Sequence, residues 1–157
     1  MSEFSFLKKY RFINPASSKE VKSKHYFYYV ENSHIKDVKE MINIPHELLD
    51  FWTQIGYGFF HKHEDYSFNR LLGPESFKII NLRQEIYAHD PDLELYDSEE
   101  YQNKLIFFEV NEGVYLLIDK EAKDGKNAIY YFDDRIADSL EEFLLRFDKE
   151  GHYFEKD

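Results

Sequence analysis

The pattern of apolar and polar positions in the first third of the chain predicts a strand followed by a helix. Residues 25–30 (HYFYYV) are aromatic and β-branched, which is typical of a strand. The next apolar positions, Ile35, Val38 and Ile42, are three and four residues apart and predict a helix. Ser33 stands just before this pattern, where a side-chain oxygen can cap the helix.

The densest apolar pattern lies in residues 44–60, IPHELLDFWTQIGYGFF. Pro45 fits the first turn of a helix, where its missing N–H costs nothing. The apolar face of this predicted helix is broad and consists of Leu48, Leu49, Phe51, Trp52 and Ile55. We expect Gly56 to end the helix and Gly58 to permit a second unusual backbone angle or close packing. The stretch holds no nucleophile, acid–base pair or metal-ligand set, so it predicts architecture rather than catalysis.

The middle of the chain begins with a predicted turn and continues into a predicted helix. Gly73 and Pro74 interrupt the apolar pattern within RLLGPESF and indicate the turn. Residues 74–89 are mainly helical by propensity. Residues 90–103 are expected to form a surface loop or a short helix.

Three strands are predicted in the last third of the chain. Residues 104–110 (KLIFFEV) and 114–119 (VYLLID) flank an Asn-Glu-Gly turn and predict a hairpin, with Gly113 at the turn position that favours glycine. Residues 127–132 (NAIYYF) follow as a third strand. The continuous apolar runs indicate strands that are covered on both faces, or nearly so.

An amphipathic helix closes the pattern in DSLEEFLLRFDKEG. Asp138 or Ser139 is expected to cap this helix, and Gly151 to end it. Its inward positions are predicted to be Leu140, Phe143, Leu144 and Phe147. Because strands and helices are partly segregated along the chain, the predicted class is α+β.

Length and composition restrict the class of protein. The chain has 157 residues, which predicts one domain, and it has no cysteine. Disulfides, thiolate zinc sites and cysteine nucleophiles are therefore excluded. The sequence has no run of about 18 apolar residues, so no membrane span is predicted, and the first residues lack the apolar core of a signal peptide. We expect a soluble, cytoplasmic protein.

The charge is strongly negative and uneven. The net charge is −11, so we do not expect direct binding to nucleic acid, because an acidic protein repels phosphate backbones. Residues 1–30 hold six Lys/Arg and two Asp/Glu, net +4, and the remainder holds 14 and 29, net −15. Such acidity favours binding to a basic partner. The alternative is that it only keeps the protein soluble.

Residues 85–101 combine acids with tyrosines and form the candidate partner surface. The candidate residues are Glu85, Tyr87, Asp90, Asp92, Glu94, Tyr96, Asp97, Glu99, Glu100 and Tyr101. Acids without counterions raise the association rate with a basic partner, and tyrosines anchor complexes. The alternative is a solvated surface loop.

The pair His61 and His63 raises the question of a metal site. Two histidines two residues apart share one face of a strand, but a third ligand is needed, and Glu64 or Asp65 is only nearby in sequence. Surface histidines after a turn are the favoured interpretation. No metal and no cofactor are therefore expected.

The acids Asp133, Asp134 and Asp138 are candidates for a pair of catalytic carboxylates. Adjacent acids in a strand point to opposite faces, and Asp138 stands where a helix cap belongs, so structural roles are favoured. No Gly-x-Ser-x-Gly elbow, dinucleotide fingerprint or phosphate loop occurs in the sequence. The sequence thus predicts no catalytic residue.

Four stretches in a fixed order resemble the SUKH superfamily, which includes yeast cell-wall assembly and glucan-synthesis regulators and many bacterial immunity proteins. They are IPHELLDFWTQIGYGFF, NRLLGPESF, LIFFEVNEGVYLLID and RIADSLEEFLLR. The resemblance covers about residues 31–147. It implies a twisted, mostly antiparallel sheet with helices packed around it, and a binding scaffold rather than an enzyme. Bacterial members resemble antitoxins that bind and block a toxin domain, often a nuclease.

The resemblance also implies structural roles for a set of motif residues. These residues are Pro45, Trp52, Gly56, Gly58, Asn69, Arg70 and Pro74. For Arg70 two interpretations remain: it lines a cleft, or it pairs with a carboxylate and fixes the turn to the sheet.

The implied domain spans residues 31–157, and residues 1–30 are expected to be an N-terminal extension that packs on it. Three functions are compatible with the sequence. The first is an immunity protein with a toxin partner, the second is a regulatory scaffold without a toxin, and the third is a metal-dependent hydrolase that uses the histidine pair.

Overall fold

One sheet of eight strands, in the order in which they occur along the chain, forms the centre of the computed structural model. The structure describes residues 2–12, 22–63 and 68–155. The strands are β1 Arg11–Phe12, β2 Tyr26–Tyr28, β3 Tyr57–Phe59, β4 Asn69–Leu71, β5 Lys104–Val110, β6 Val114–Asp119, β7 Ile129–Tyr131 and β8 Asp134–Ala137. β1 and β2 are parallel, and every other neighbouring pair is antiparallel.

In the described part of the chain, four α-helices pack around this sheet, so the predicted α+β class and mostly antiparallel sheet are confirmed. The helices are α1 Asn32–Lys39, α2 His46–Gln54, α3 Pro74–Asn81 and α4 Leu140–Glu150. Short 3-10 helices cover Ser5–Tyr10, Glu85–Tyr87, Pro91–Asp97 and Glu99–Tyr101. Among the described residues, no helix is both long and apolar enough to cross a membrane.

One face of the sheet is covered by α2 and α4. The strand register places Phe27, Leu71 and Phe108 side by side on this face. The Phe27 ring packs against α2, and the Phe108 ring packs against α4. The four predicted inward residues of α4 (Leu140, Phe143, Leu144 and Phe147) are all fully buried. The amphipathic pattern therefore identified the core face of α4 correctly.

The opposite face of the sheet carries aromatic and charged side chains. The register aligns Tyr26, Phe59, Arg70, Glu109 and Tyr115 across β2 to β6. The 3-10 helices of residues 85–101 pack over the β6 end of this face. This second face positions the candidate partner surface.

Both glycines of the 44–60 motif lie where the backbone of β3 meets that of β2. A Cβ on Gly56 would lie 1.9 Å from the carbonyl oxygen of Tyr28, and one on Gly58 would lie 1.9 Å from that of Tyr26. Their φ angles are +130° and +156°. Gly56 also follows the end of α2, as the sequence predicted. Only glycine permits this close pairing of two strands.

Helix boundaries differ from the predictions at the starts of α1 and α2 and at the end of α3, which stops at Asn81 although residues 74–89 were predicted to be mainly helical. Ser33 lies inside α1, whose cap position is Glu31. Pro45 occupies the cap position of α2, where its carbonyl accepts a hydrogen bond from the N–H of Leu49, so it precedes the first turn. Of the two caps predicted for α4, Ser139 is the one observed, because its side chain accepts a hydrogen bond from the N–H of Glu142 at 3.0 Å.

Short strands account for the remaining differences. β3 and β4 contain three residues each and β8 contains four, which is too short for a visible period of two. Residues 69–71, predicted as part of a turn, pair with both β3 and β5. Within the expected N-terminal extension, the described residues contribute β1 and β2.

Candidate functional site

Residues 85–101, hereafter the acidic segment, are held on the sheet by three buried side chains. Leu93, Tyr96 and Tyr101 point inward. The Tyr96 hydroxyl donates to the carbonyl of Tyr115 at 3.2 Å and accepts from its N–H at 3.0 Å. The Tyr101 hydroxyl donates to the carboxylate of Asp133 at 3.1 Å. The segment is thus fixed to β6 and to the turn before β8.

Two of the three candidate tyrosines belong to this internal framework. Burial raises the pKa of Tyr96, although its hydrogen bond with the Tyr115 backbone opposes the change. Burial, together with the hydrogen bond to Asp133, raises the pKa of Tyr101 to about 12. Both hydroxyls therefore stay protonated near neutral pH and donate inside the molecule. Tyr87 is half-buried, and it is the candidate tyrosine that a partner reaches most directly.

The acids of the segment form its outer surface. Asp90 is half-buried and accepts a hydrogen bond from the N–H of Asp92 at 2.9 Å, which caps a 3-10 helix. The exposed acids are Glu85, Asp92, Glu94, Asp97, Glu99 and Glu100. Asp97 pairs with Arg83 at 2.9 Å, and within the described part of the chain the other six acids form no ion pair. Their mutual repulsion is relieved when a cationic surface approaches.

Two apolar side chains of the acidic segment were absent from the sequence-based candidates. Ile86 is 81% exposed and Leu95 is 50% exposed. The 3-10 helices here are too short for a hydrophobic period, so no pattern of residues indicates which side chains face outward.

Arg70 combines both roles considered for it. Its guanidinium contacts the carboxylate of Glu109 at 3.0 Å across β4 and β5. It also lines a recess of about 220 Å³ together with Tyr57, Phe59 and the first turn of α3. The pairing joins two neighbouring strands, and the recess opens next to the family-like turn that contains Pro74.

The remaining motif residues act in the core. Trp52 is 1% exposed, and its indole N–H donates to the carbonyl of Leu72 at 2.9 Å. Asn69 is buried and hydrogen-bonded to His152, and its amide donates to the carbonyl of Phe60 at 3.4 Å. Pro74 is buried at the first position of α3.

Glu47 is a buried carboxylate that sequence reasoning missed. It lies in the 44–60 motif and is 1% exposed. Four donors surround it: the N–H groups of Asn127 (2.6 Å), Leu140 (3.0 Å) and Glu141 (3.3 Å), and the hydroxyl of Ser2 (2.8 Å). Leu140 and Glu141 begin α4, so the carboxylate lies at the positive end of that helix. The motif therefore joins α2 to α4.

The histidines after β3 have internal partners. His61 is buried, and its Nε2 contacts the carbonyl of Phe147 at 2.8 Å. The backbone N–H of His61 donates to Nδ1 of His25 at 3.0 Å. His63 is exposed and hydrogen-bonded to Tyr26. Among the described residues, no three His, Asp or Glu side chains are arranged to hold a metal ion. The suggested ligands Glu64 and Asp65 lie outside the described residues.

The charge of His25 is determined by its contacts. Because its Nδ1 accepts a hydrogen bond, its proton lies on Nε2, which contacts Asp148 at 2.6 Å. Burial lowers the pKa of His25 to about 4, and the hydrogen bond to Asp148 opposes this shift. Burial alone would raise the pKa of Asp148, but the contacts from His25 and Lys24 lower it. Neutral His25 thus joins β2 to the end of α4.

The three acids near β8 have separate contacts. Asp133 accepts from Tyr101, and Asp138 pairs with Arg135 at 3.0 Å. Asp134 is exposed within β8. Their contacts are structural or directed to solvent.

Comparisons with known proteins agree with the resemblance noted in the sequence. A model of the SMI1 / KNR4 family (SUKH-1) matches residues 29–146, which include all four resembling stretches. The chain is 40% identical over 131 residues to "Immunity protein YxxD" of Bacillus subtilis (strain 168), across 82% of this chain and 86% of that protein. No solved structure matches significantly. The predicted family resemblance is confirmed.

Proposed function

This chain belongs to the SMI1/KNR4 family (SUKH-1), and from that premise we propose that it is an immunity protein that binds and neutralises a cognate toxin. The observation that carries the proposal is the similarity to Immunity protein YxxD over most of both chains. Neutralisation by direct protein–protein contact is part of the proposal. In this role the protein acts in the cytoplasm of the producing cell, without a cofactor and without catalysis.

We propose that the toxin is basic, and that it is a nuclease. A nuclease needs a cationic surface to bind phosphate backbones, and such a surface is attracted to a protein of net charge −11. The acidic segment supplies a dense group of exposed carboxylates for this contact. The same charge disfavours direct binding of this chain to nucleic acid.

A regulatory scaffold without a toxin is the alternative function. The observation in its favour is the match to the SMI1 / KNR4 family (SUKH-1). The superfamily that the sequence resembles includes yeast cell-wall assembly and glucan-synthesis regulators as well as immunity proteins. A scaffold is expected to bind several partners, whereas an immunity protein is expected to form a tight 1:1 complex with one toxin.

A co-expression rescue tests the proposal. The toxin domain encoded beside this gene is expressed in a sensitive host, with and without this protein, and growth, nucleic-acid integrity and co-purification are measured. Restored growth together with a 1:1 complex is expected.

Two other outcomes contradict the proposal. Rescue without a complex would indicate detoxification or protection of the toxin's target instead of binding. Absence of rescue, or absence of a toxin gene, would favour the scaffold. Intact nucleic acid during intoxication would contradict the nuclease proposal only.

A further inference from the structure

The acidic segment turns two aliphatic side chains, Ile86 and Leu95, outward, whereas Leu93 and two of its tyrosines point inward. Ile86 is 81% exposed and Leu95 is 50% exposed, whereas Tyr96 and Tyr101 are 7% and 6% exposed. One exposed apolar side chain on a surface needs no explanation. Two on one short segment that also carries six exposed acids combine apolar and charged groups, as the core and rim of protein interfaces do.

An ordered turn presents Ile86 to solvent. Arg83 and Glu85 have φ angles of 54° and 53°, a left-handed conformation that is uncommon outside glycine. The Arg83 guanidinium holds the turn by donating to the carbonyl of Ile80 at 2.7 Å. Strained backbone of this kind is concentrated at binding and catalytic sites.

One ion pair joins the chain just before Ile86 to the chain just after Leu95. Arg83 and Asp97 are 2.9 Å apart. Ile86 lies three residues after Arg83, and Leu95 lies two residues before Asp97. The stretch from Arg83 to Asp97, which carries both apolar side chains, is closed by this ion pair and held on β6 by Tyr96, and it is hereafter called the platform. A platform that is already ordered loses little conformational freedom when it binds.

The charges around the two side chains define the chemistry of the partner. Glu85 precedes Ile86 and Glu94 precedes Leu95, and both carboxylates are exposed. Neither forms an ion pair with a described residue. Such acids attract a cationic surface and accelerate its approach, while buried apolar contacts slow its dissociation. The matching surface is basic and contains apolar recesses.

We propose that Ile86 and Leu95 are the anchors that hold the basic toxin, and that the surrounding acids guide its approach. This inference rests on the proposed immunity function. It assigns the anchoring role to two aliphatic side chains and leaves the buried tyrosines as supports of the platform.

The test compares serine substitutions inside and outside the acidic segment. The variants are Ile86→Ser, Leu95→Ser and the double variant. The controls are Met41→Ser after α1 and Leu145→Ser on α4, whose side chains are 58% and 38% exposed. Binding kinetics of each purified protein are measured by surface plasmon resonance on the immobilised toxin domain encoded beside this gene. Thermal unfolding is measured in parallel.

Each single substitution in the segment is expected to weaken binding about tenfold or more, mainly through faster dissociation, as is typical of interface hot spots. The unfolding midpoint and the controls are expected to stay close to the unaltered protein. Affinity within about twofold for the double variant would overturn the assignment of the anchors while leaving the proposed function intact. Failure of the unaltered protein to bind the toxin domain would overturn both.

Discussion

Replacing Glu47 with glutamine tests whether this one buried carboxylate stabilises the protein by joining α2 to the start of α4. Its Oε1 accepts hydrogen bonds from the N–H groups of Asn127 and Leu140, and its Oε2 accepts from Ser2 and Glu141. Glutamine keeps one oxygen and replaces the other with an NH₂ group. That NH₂ group donates only: on the Oε1 side it leaves the N–H groups of Asn127 and Leu140 without an acceptor, and on the Oε2 side, where the Ser2 hydroxyl can turn to accept, it still leaves the N–H of Glu141 without one.

The expected loss follows from the number of bonds. Hydrogen bonds to a charged group contribute about 1.5–3 kcal/mol each, and a buried donor without an acceptor costs about 1–3 kcal/mol. Removing a buried negative charge recovers part of the desolvation energy. The net destabilisation of Glu47→Gln is therefore about 2–4 kcal/mol, a large share of the roughly 5–15 kcal/mol typical of a domain.

Urea unfolding measured by tryptophan fluorescence provides the assay. Trp52 is the single tryptophan, and it is 1% exposed in the folded protein, so its emission reports unfolding. The matched control is Glu75→Gln, because Glu75 is exposed in the first turn of α3. The control is expected to change the free energy of unfolding by less than about 0.5 kcal/mol. Equal midpoints for the two variants would refute the role assigned to Glu47.

Three further predictions concern other parts of the molecule. Gly56→Ala is expected to destabilise the protein by several-fold more than Gly125→Ala in urea unfolding, because a Cβ at Gly56 meets a β2 carbonyl oxygen whereas Gly125, also at positive φ, has nothing within 4 Å. Equal losses would contradict the close-approach explanation. The pKa of His25 is about 4 in the folded protein and roughly 6.5 when unfolded, so the unfolded state binds more protons below pH 6.5, and stability is expected to fall by roughly 2–3 kcal/mol between pH 6.5 and 4. Urea midpoints across this range should decline less steeply for His25→Gln, and parallel declines would exclude His25 as the cause. Amide substitution of the exposed acids of the acidic segment is expected to slow association with the toxin domain about tenfold at low salt, and stopped-flow rates that do not change would place the contact elsewhere.

The hairpin and the closing helix were predictable because their patterns are long. β5 and β6 span seven and six residues, and both follow the predicted bounds. α4 contains eleven residues with its apolar positions at helical spacing. In segments of this length, burial imposes a continuous apolar run on a strand that is covered on both faces and a helical period on a helix, and the sequence displays both directly.

The buried polar contacts were not predictable because their partners are distant in sequence. The donors to Glu47 come from residues 2, 127, 140 and 141. The partner of His25 is Asp148. The inward direction of Tyr96 was equally hidden, because a 3-10 segment of a few residues has no repeated face. Local pattern identifies elements, whereas such contacts depend on how the elements come together.

Folding of this protein forms two kinds of contact: pairing between strands that are consecutive along the chain, and packing of the last helix against residues from the first third. Each strand pairs with the next one along the chain, so the sheet can extend one strand at a time while the chain leaves the ribosome. Glu47 and His25 lie in the first third of the chain, but both need α4 to satisfy their buried groups. The last helix therefore completes the native state, because a nascent chain that lacks it leaves Glu47 without the N–H groups of Leu140 and Glu141, and His25 without Asp148.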